Sequence, residues 1–162
     1  MGSSYLKNHL GYSLTEAEFE DIPNPYLELN SHVTMKTIQA GTLLGTLVFG
    51  PLAAVRKQST RNWAGIVQKA TRFGRNGMII GVGLGPLLVY ARTMKDPQEK
   101  IIDRDFRLRH NRGQVRVDRG AIVGGIIGVG ANTLLGKPKL IGGLVGITAG
   151  VIGMAVYNIN QK

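Results

Sequence analysis

The sequence predicts an all-α fold: an integral membrane four-helix bundle with glycine-zipper packing and one interfacial amphipathic helix. Three observations carry that expectation. Four long stretches contain no Asp, Glu, Lys or Arg, glycines recur every four residues inside them, and a basic segment between the first two carries apolar residues at helical spacing. A helix needs about 20 apolar residues to cross about 30 Å of hydrocarbon, and about 17 suffice when flanking Lys and Arg stems reach outward. In a chain with 19% charged residues, four such gaps are hard to arrange unless lipid excludes charge from them.

Taken in order, residues 1–33 form a polar, mildly acidic N-terminal segment, and residues 34–162 form the membrane domain. Thr15 and Glu18 have the spacing of a capping box, which predicts one short helix that "NPY" then ends. The spans fall at about 37–55, 76–94, 120–136 and 140–160. The second is the shortest in charge-free length, and Arg75, Arg92 and Lys95 extend its reach to the interfaces. Pro51 and Pro86 predict kinks, tolerated in a membrane helix when neighbouring groups take up the freed carbonyl.

The glycines line up with period four: Gly41 and Gly45 in the first span, Gly77, Gly81 and Gly85 in the second, Gly120, Gly124 and Gly128 in the third, and Gly142, Gly146 and Gly150 in the fourth. Positions four apart share a helix face. Lipid supplies no hydrophobic drive for helices to associate, so bare strips that let backbones approach provide the van der Waals contact instead. These eleven residues are the predicted helix-packing positions. The stretch "GVGLGP" is therefore not read as a dinucleotide loop: it lies inside a charge-free run, Pro86 interrupts it, and the G-x-G-x-x-G spacing is not completed.

Between the first two spans, residues 56–75 hold six cations and no acid. Trp63, Ile66, Val67, Ala70 and Phe73 recur at helical spacing, which predicts an amphipathic helix at about 61–74. Its stripe either lies on the membrane surface or packs on protein, and the two are compatible. Arg56, Lys57, Arg61, Lys69, Arg72 and Arg75 are the candidate contacts to anionic headgroups, with cardiolipin a fitting lipid. The connection at 95–119 is the most charged part of the chain and reads as a solvated loop that docks on acidic protein neighbours. "GKPK" is a tight turn that makes the third and fourth spans a hairpin.

Several function classes lose support. No charged residue lies within a span, and such residues are what proton relays and ion pathways are built from. With no cysteine there is no disulfide, thiolate zinc site or cysteine nucleophile. His110 has no second histidine or cysteine at ligand spacing, so no metal, cofactor or catalytic residue is expected, nor is a small-molecule substrate. The arginine-rich connection offers only Phe106 for base stacking, which argues against nucleic acid. A net charge of +10 does not choose among anionic partners, and counts of 12 and 8 Lys and Arg on the two sides do not settle orientation.

The order of these elements resembles the mitochondrial inner-membrane translocase family, over roughly residues 33–158. That family's signature places an arginine and then an aspartate before a glycine pair opening the third span; Arg112 or Arg116 with Asp118, then Gly124 and Gly125, is similar. The connection "ARTMKDPQEKIIDRDF" is similar to the Asp-Pro-containing link of the family's accessory subunit of respiratory complex I. The resemblance implies a multi-pass protein of the mitochondrial inner membrane, without catalysis of its own. It would stabilise the complex I membrane arm through other membrane subunits and lipid, with both termini facing the intermembrane space. Two alternatives stand beside it: a channel-type subunit of a protein translocase or metabolite pore, and a soluble nucleotide- or RNA-binding domain.

Overall fold

A computed structural model describes residues 2–161, and the described residues are all-α, with no strand among them. Helix α1 (Ser3–Leu10) stops at Gly11, whose φ of +99° continues the chain in the left-handed region. Helix α2 (Glu16–Glu20) is opened by a capping box: Thr15 Oγ1 accepts from the Glu18 amide, and the Glu18 carboxylate accepts from the Thr15 amide. "NPY" does not end that helix, which has closed by Asp21; it begins the next one. Pro25 occupies the first turn of α3 (Pro25–Leu43), where its missing N–H costs nothing.

From α3 the chain runs through a π-helical segment (Leu44–Phe49) into α4 (Gly50–Val55) without leaving the helical path. A π turn just ahead of Pro51 is a wider coil that accommodates the proline's missing donor. After a short 3₁₀ turn (Gln58–Thr60), α5 spans Trp63–Thr93. Its 31 residues extend about 46 Å at about 1.5 Å each. The sequence separates an interfacial helix at 61–74 from a span at 76–94; here they are one continuous helix, because Gly74 and Gly77 lie on its packed face and nothing at that junction breaks the backbone ladder, the one proline of the helix, Pro86, lying further on. The first half of α5 thus follows the direction of the second and does not form a separate surface helix.

The charged connection is likewise not a loop. It folds into α6 (Gln98–His110), and residues from Arg112 onward already belong to α7 (Arg112–Leu134). Asn111 ends α6 and caps α7, its side chain accepting from the Gln114 amide. Gly136, at φ +63°, turns the chain into α8 (Lys139–Ile159).

The four long helices pair as two antiparallel hairpins. α3 packs on α5 and α7 on α8, and the hairpins meet where α3, the π-helical segment after it and α5 face α8; there the hydroxyl oxygens of Thr46 in the π-helical segment and Thr148 lie 3.4 Å apart. Helices α1, α2 and α6 cover one end, joined to α3 and α7. Two helical stretches, Pro25–Val55 and Lys139–Ile159, are long and apolar enough to cross a membrane; α5 and α7 combine shorter apolar stretches with arginine-bearing turns.

Burial runs opposite to the usual order. The largest fully buried side chains are Glu28, Thr42 and Asp118, whereas Ile80, Leu87, Ile126, Ile127 and Val145 are each more than 60% exposed. The one buried apolar cluster among the described residues is small, Leu29 with Val89 and Ile101, and it sits at the capped end. In water a protein buries Ile, Leu and Val first.

Candidate functional site

The glycine strips form the seams within both hairpins. A Cβ added to Gly41 would fall on the carbonyl of Gly77, and one on Gly77 would fall on the carbonyl of Gly41. Gly45 faces the backbone of Phe73 and Gly74, Gly81 faces Thr37 and Ile38, and Gly85 faces Thr34. In the second hairpin Gly120 meets Gly150, Gly124 meets Gly146, and Gly128 meets Gly142. At three helical glycines outside the period-four strips, Gly83, Gly130 and Gly153, an added methyl carbon would meet nothing within 4 Å. Thr37 adds a cross-helix bond, its hydroxyl donating to the Gly81 carbonyl at 2.6 Å.

The six cations proposed to contact headgroups are partly gathered. Arg56, Lys57, Lys69 and Arg72 line one groove of about 710 Å³, floored by Phe49, Leu52 and Phe73. Arg72 and Arg75 border a second groove beside Trp63 and Leu140, and Arg61 lines neither. An apolar floor under a cationic rim suits an acyl chain and its phosphate. All ten Asp and Glu residues lie in 1–33 or 95–119, so this end carries no carboxylate to compete.

The opposite end holds a buried polar cluster that sequence reasoning missed. Arg109 forms a two-pronged ion pair with Glu28 at 2.8–3.0 Å, and its remaining nitrogen donates to the carbonyls of Glu18, Phe19 and Asp21. One guanidinium thereby fastens α2 and the turn after it to α3. Asp105 lies one turn earlier on α6, also buried. Burial, and then Glu28, push its carboxyl up to about 7 against the pull of Arg109.

Beside it, Asp118 accepts from Lys36 Nζ and Gln39 Nε2, both at 2.7 Å and both through Oδ1. Asp118 Oδ2 has no hydrogen-bond partner, and two imidazoles approach it: His32 Nδ1 at 3.4 Å and His9 Nε2 at 4.0 Å. The far nitrogens are held as well, His9 Nδ1 by the Tyr5 carbonyl at 3.1 Å and His32 Nε2 by Gln114 Oε1 at 2.8 Å. Burial, and then the nearby carboxylates, raise the pKa of Tyr5. His9, His32 and Asp118 are the set here whose donor atoms converge as metal ligands do, one from each within 4.8 Å of the others.

Of the residues behind the family resemblance, Asp118 is at the centre of this cluster. Arg116 instead donates to Asn158 and lies over the Tyr157 ring, and Arg119 holds the carbonyls of Asn8 and His9. His110 stacks on Phe19 and lies tilted against Phe106. The signal available beforehand was positional: Lys36 borders a charge-free run and Asp118 stands one residue from another, where a charge either reaches water or finds a buried partner.

Comparison with curated proteins gives no match. Residues 5–157, nearly the whole length of the chain, match a family pattern, and on that match the chain belongs to the family described as "Protein of unknown function (DUF1757)".

Proposed function

We propose that this protein is a non-catalytic, multi-pass membrane subunit whose work is to pack: its four long helices cross the bilayer and it stabilises a larger assembly through their outer faces. The observation that carries this reading is the inverted burial, with carboxylates, threonines and bare backbone inside and large aliphatic side chains outside. Such a surface is costly in water, at roughly 25 cal/mol per Å² of exposed apolar area, and costs nothing against acyl chains. The hairpin seams need no hydrophobic drive because they rest on backbone contact. An apolar groove of about 540 Å³ between α5 and α8, bordered by Leu47, Trp63, Ile66 and Leu144, offers room for a partner's side chains or a lipid tail.

Within that reading we assign the protein to the mitochondrial inner membrane, as an accessory subunit of the respiratory complex I membrane arm, with cardiolipin in the cationic groove. The assignment rests on the resemblance of the element order and of "ARTMKDPQEKIIDRDF". Two experiments separate its layers. Alkaline carbonate extraction leaves an integral bundle in the membrane pellet; full release into the supernatant overturns the membrane reading and favours a soluble binding domain. A mild-detergent native gel then asks what the protein runs with. Co-migration with NADH-dehydrogenase activity supports the complex I assignment, and co-migration with the import machinery replaces it with a translocase subunit.

A further inference from the structure

The cluster around Asp118 contains an arrangement that hydrogen bonding alone leaves unresolved. A carbonyl oxygen only accepts, so the contact to Tyr5 O places a proton of His9 on Nδ1, and in the neutral ring Nε2 then carries a lone pair. Gln114 Oε1 likewise accepts from His32 Nε2–H, and in the neutral ring His32 Nδ1 carries the lone pair. Asp118 Oδ2 is acceptor-only, fully buried and without a donor. Three lone-pair atoms, from α1, α3 and α7, therefore point at one another with nothing donating between them. A proton shared by one imidazole and the carboxylate would relieve one edge of the triangle. A cation relieves all three.

We propose that His9 Nε2, His32 Nδ1 and Asp118 Oδ2 bind a divalent transition-metal ion of the Zn²⁺ type. Two imidazoles and a carboxylate are a donor set for such ions, and three protein ligands leave a fourth position open. In a tetrahedral site with bonds of about 2.0–2.1 Å, donor atoms stand about 3.3 Å apart. The His32–Asp118 edge already measures 3.4 Å and the His9–Asp118 edge 4.0 Å, so His9, on the short terminal helix, is the ligand that closes. The supporting contacts have the form that metal sites require: each imidazole donates its other N–H to an oxygen, and the second carboxylate oxygen of Asp118 is held by Lys36 and Gln39. Net charge does not decide the matter. Asp118, Glu28 and Asp105 face Lys36 and Arg109, with Arg119 at the His9 backbone. The ligands are far apart in the chain, so ligand spacing along the sequence gives no hint of them. A bound ion would clip α1 to the two hairpins.

The test uses the full-length protein in detergent, stripped with a chelator and titrated with Zn²⁺ and with Co²⁺. One Zn²⁺ per chain is expected, with a Co²⁺ absorption spectrum of a low-coordinate nitrogen- and oxygen-ligated ion, and with a Zn²⁺-dependent rise in thermal midpoint. His9→Ala, which removes a ligand from the chain's periphery, should weaken Zn²⁺ binding by more than the ~10–100-fold that loss of a supporting contact costs, and Gln114→Leu should fall within that range. His110→Ala, outside the cluster, should match the parent. Sub-stoichiometric Zn²⁺, or equal affinity in His9→Ala and the parent, overturns the site. So does ¹⁵N NMR of the stripped protein showing a His32 imidazolium bonded to Asp118 that Zn²⁺ fails to displace. If His9→Ala does not accumulate, the Co²⁺ spectrum and stoichiometry of the parent protein decide alone.

Discussion

Alanine replacements at glycines test the packing of the hairpins with a change of sign. Gly83, Gly130 and Gly153 are helical and face open space. Alanine there gains helix propensity and meets nothing, so each substitution should stabilise the protein by up to about 1 kcal/mol. Gly41, Gly124 and Gly146 gain the same propensity, but their new methyl group would occupy the place of a carbonyl across the seam: that of Gly77, of Gly146 and of Gly124 respectively. A backbone carbonyl in a helix cannot rotate away, so the helices must separate. Overpacking of this kind costs about 1–3 kcal/mol. A gap of about 0.5–1 Å along the strip also forfeits a quarter to a half of each contact's dispersion energy. The net expectation is a loss of about 1–2 kcal/mol at each seam position, opposite in sign to the open positions.

A cycle sharpens the test. Gly124 and Gly146 face each other, so the first alanine opens the seam and the second costs less; the double variant should be less destabilised than the two losses combined. Gly41 and Gly124 lie in different hairpins and should add. The assay is reversible unfolding by SDS in mixed micelles, followed by circular dichroism. If all six substitutions shift stability in one direction, or if seam alanines stabilise, backbone contact is not what holds the hairpins.

Three further outcomes follow from the two ends of the molecule. Glu28→Gln leaves the Arg109 guanidinium buried against a neutral partner and should cost about 3–5 kcal/mol in the same unfolding assay; Arg109→Lys, which loses the two-pronged geometry, should not rescue it. Asp105 keeps its proton to about pH 7 in the folded protein and loses it near its usual 3.8 when unfolded, so its contribution is full at low pH and is lost as pH rises from about 4 to about 7. Stability should fall over that window by on the order of 4 kcal/mol relative to Asp105→Asn, in which this slope vanishes, as read from unfolding curves at several pH values. Replacing Arg56, Lys57, Lys69 and Arg72 together by Gln should deplete co-purified anionic phospholipid, measured by mass spectrometry, while Lys95→Gln and Lys100→Gln leave it unchanged.

Much of the helical framework is legible in the sequence because a charge-free run bounded by cations and a glycine every fourth residue both depend on local order alone. Those signals locate the helical segments around Gly41, Gly81, Gly124 and Gly146. They do not locate helix ends, because an end is decided by what the flanking charges find. Glu28 and His32 look like part of a polar leader, yet they are the first turns of α3, made tolerable by Arg109 and Gln114 from helices far along the chain. The connection at 95–119 looks solvated because its charges are counted without partners. Once Asp105 and Arg109 turn inward and Arg104 meets Asp96, the segment becomes α6. The same blindness hid the Asp118 cluster: no spacing rule brings together residues 9, 32 and 118. By contrast, the Thr15–Glu18 capping box and the "GKPK" turn are complete within a few residues, and both are readable without tertiary context.

If the helices cross a bilayer, the aliphatic faces of α5, α7 and α8 lie against lipid, and the chain's lack of cysteine gives a clean background for measuring it. Single cysteines at Ile80, Ile127 and Val145, all exposed on the protein, should resist a membrane-impermeant maleimide in intact membranes and react once SDS is added. Cysteines at Gln58 and Gln98, near the two ends, should react once each side is opened. If the three mid-helix positions label in intact membranes as fast as the ends do, those faces meet water and the helices do not cross the bilayer.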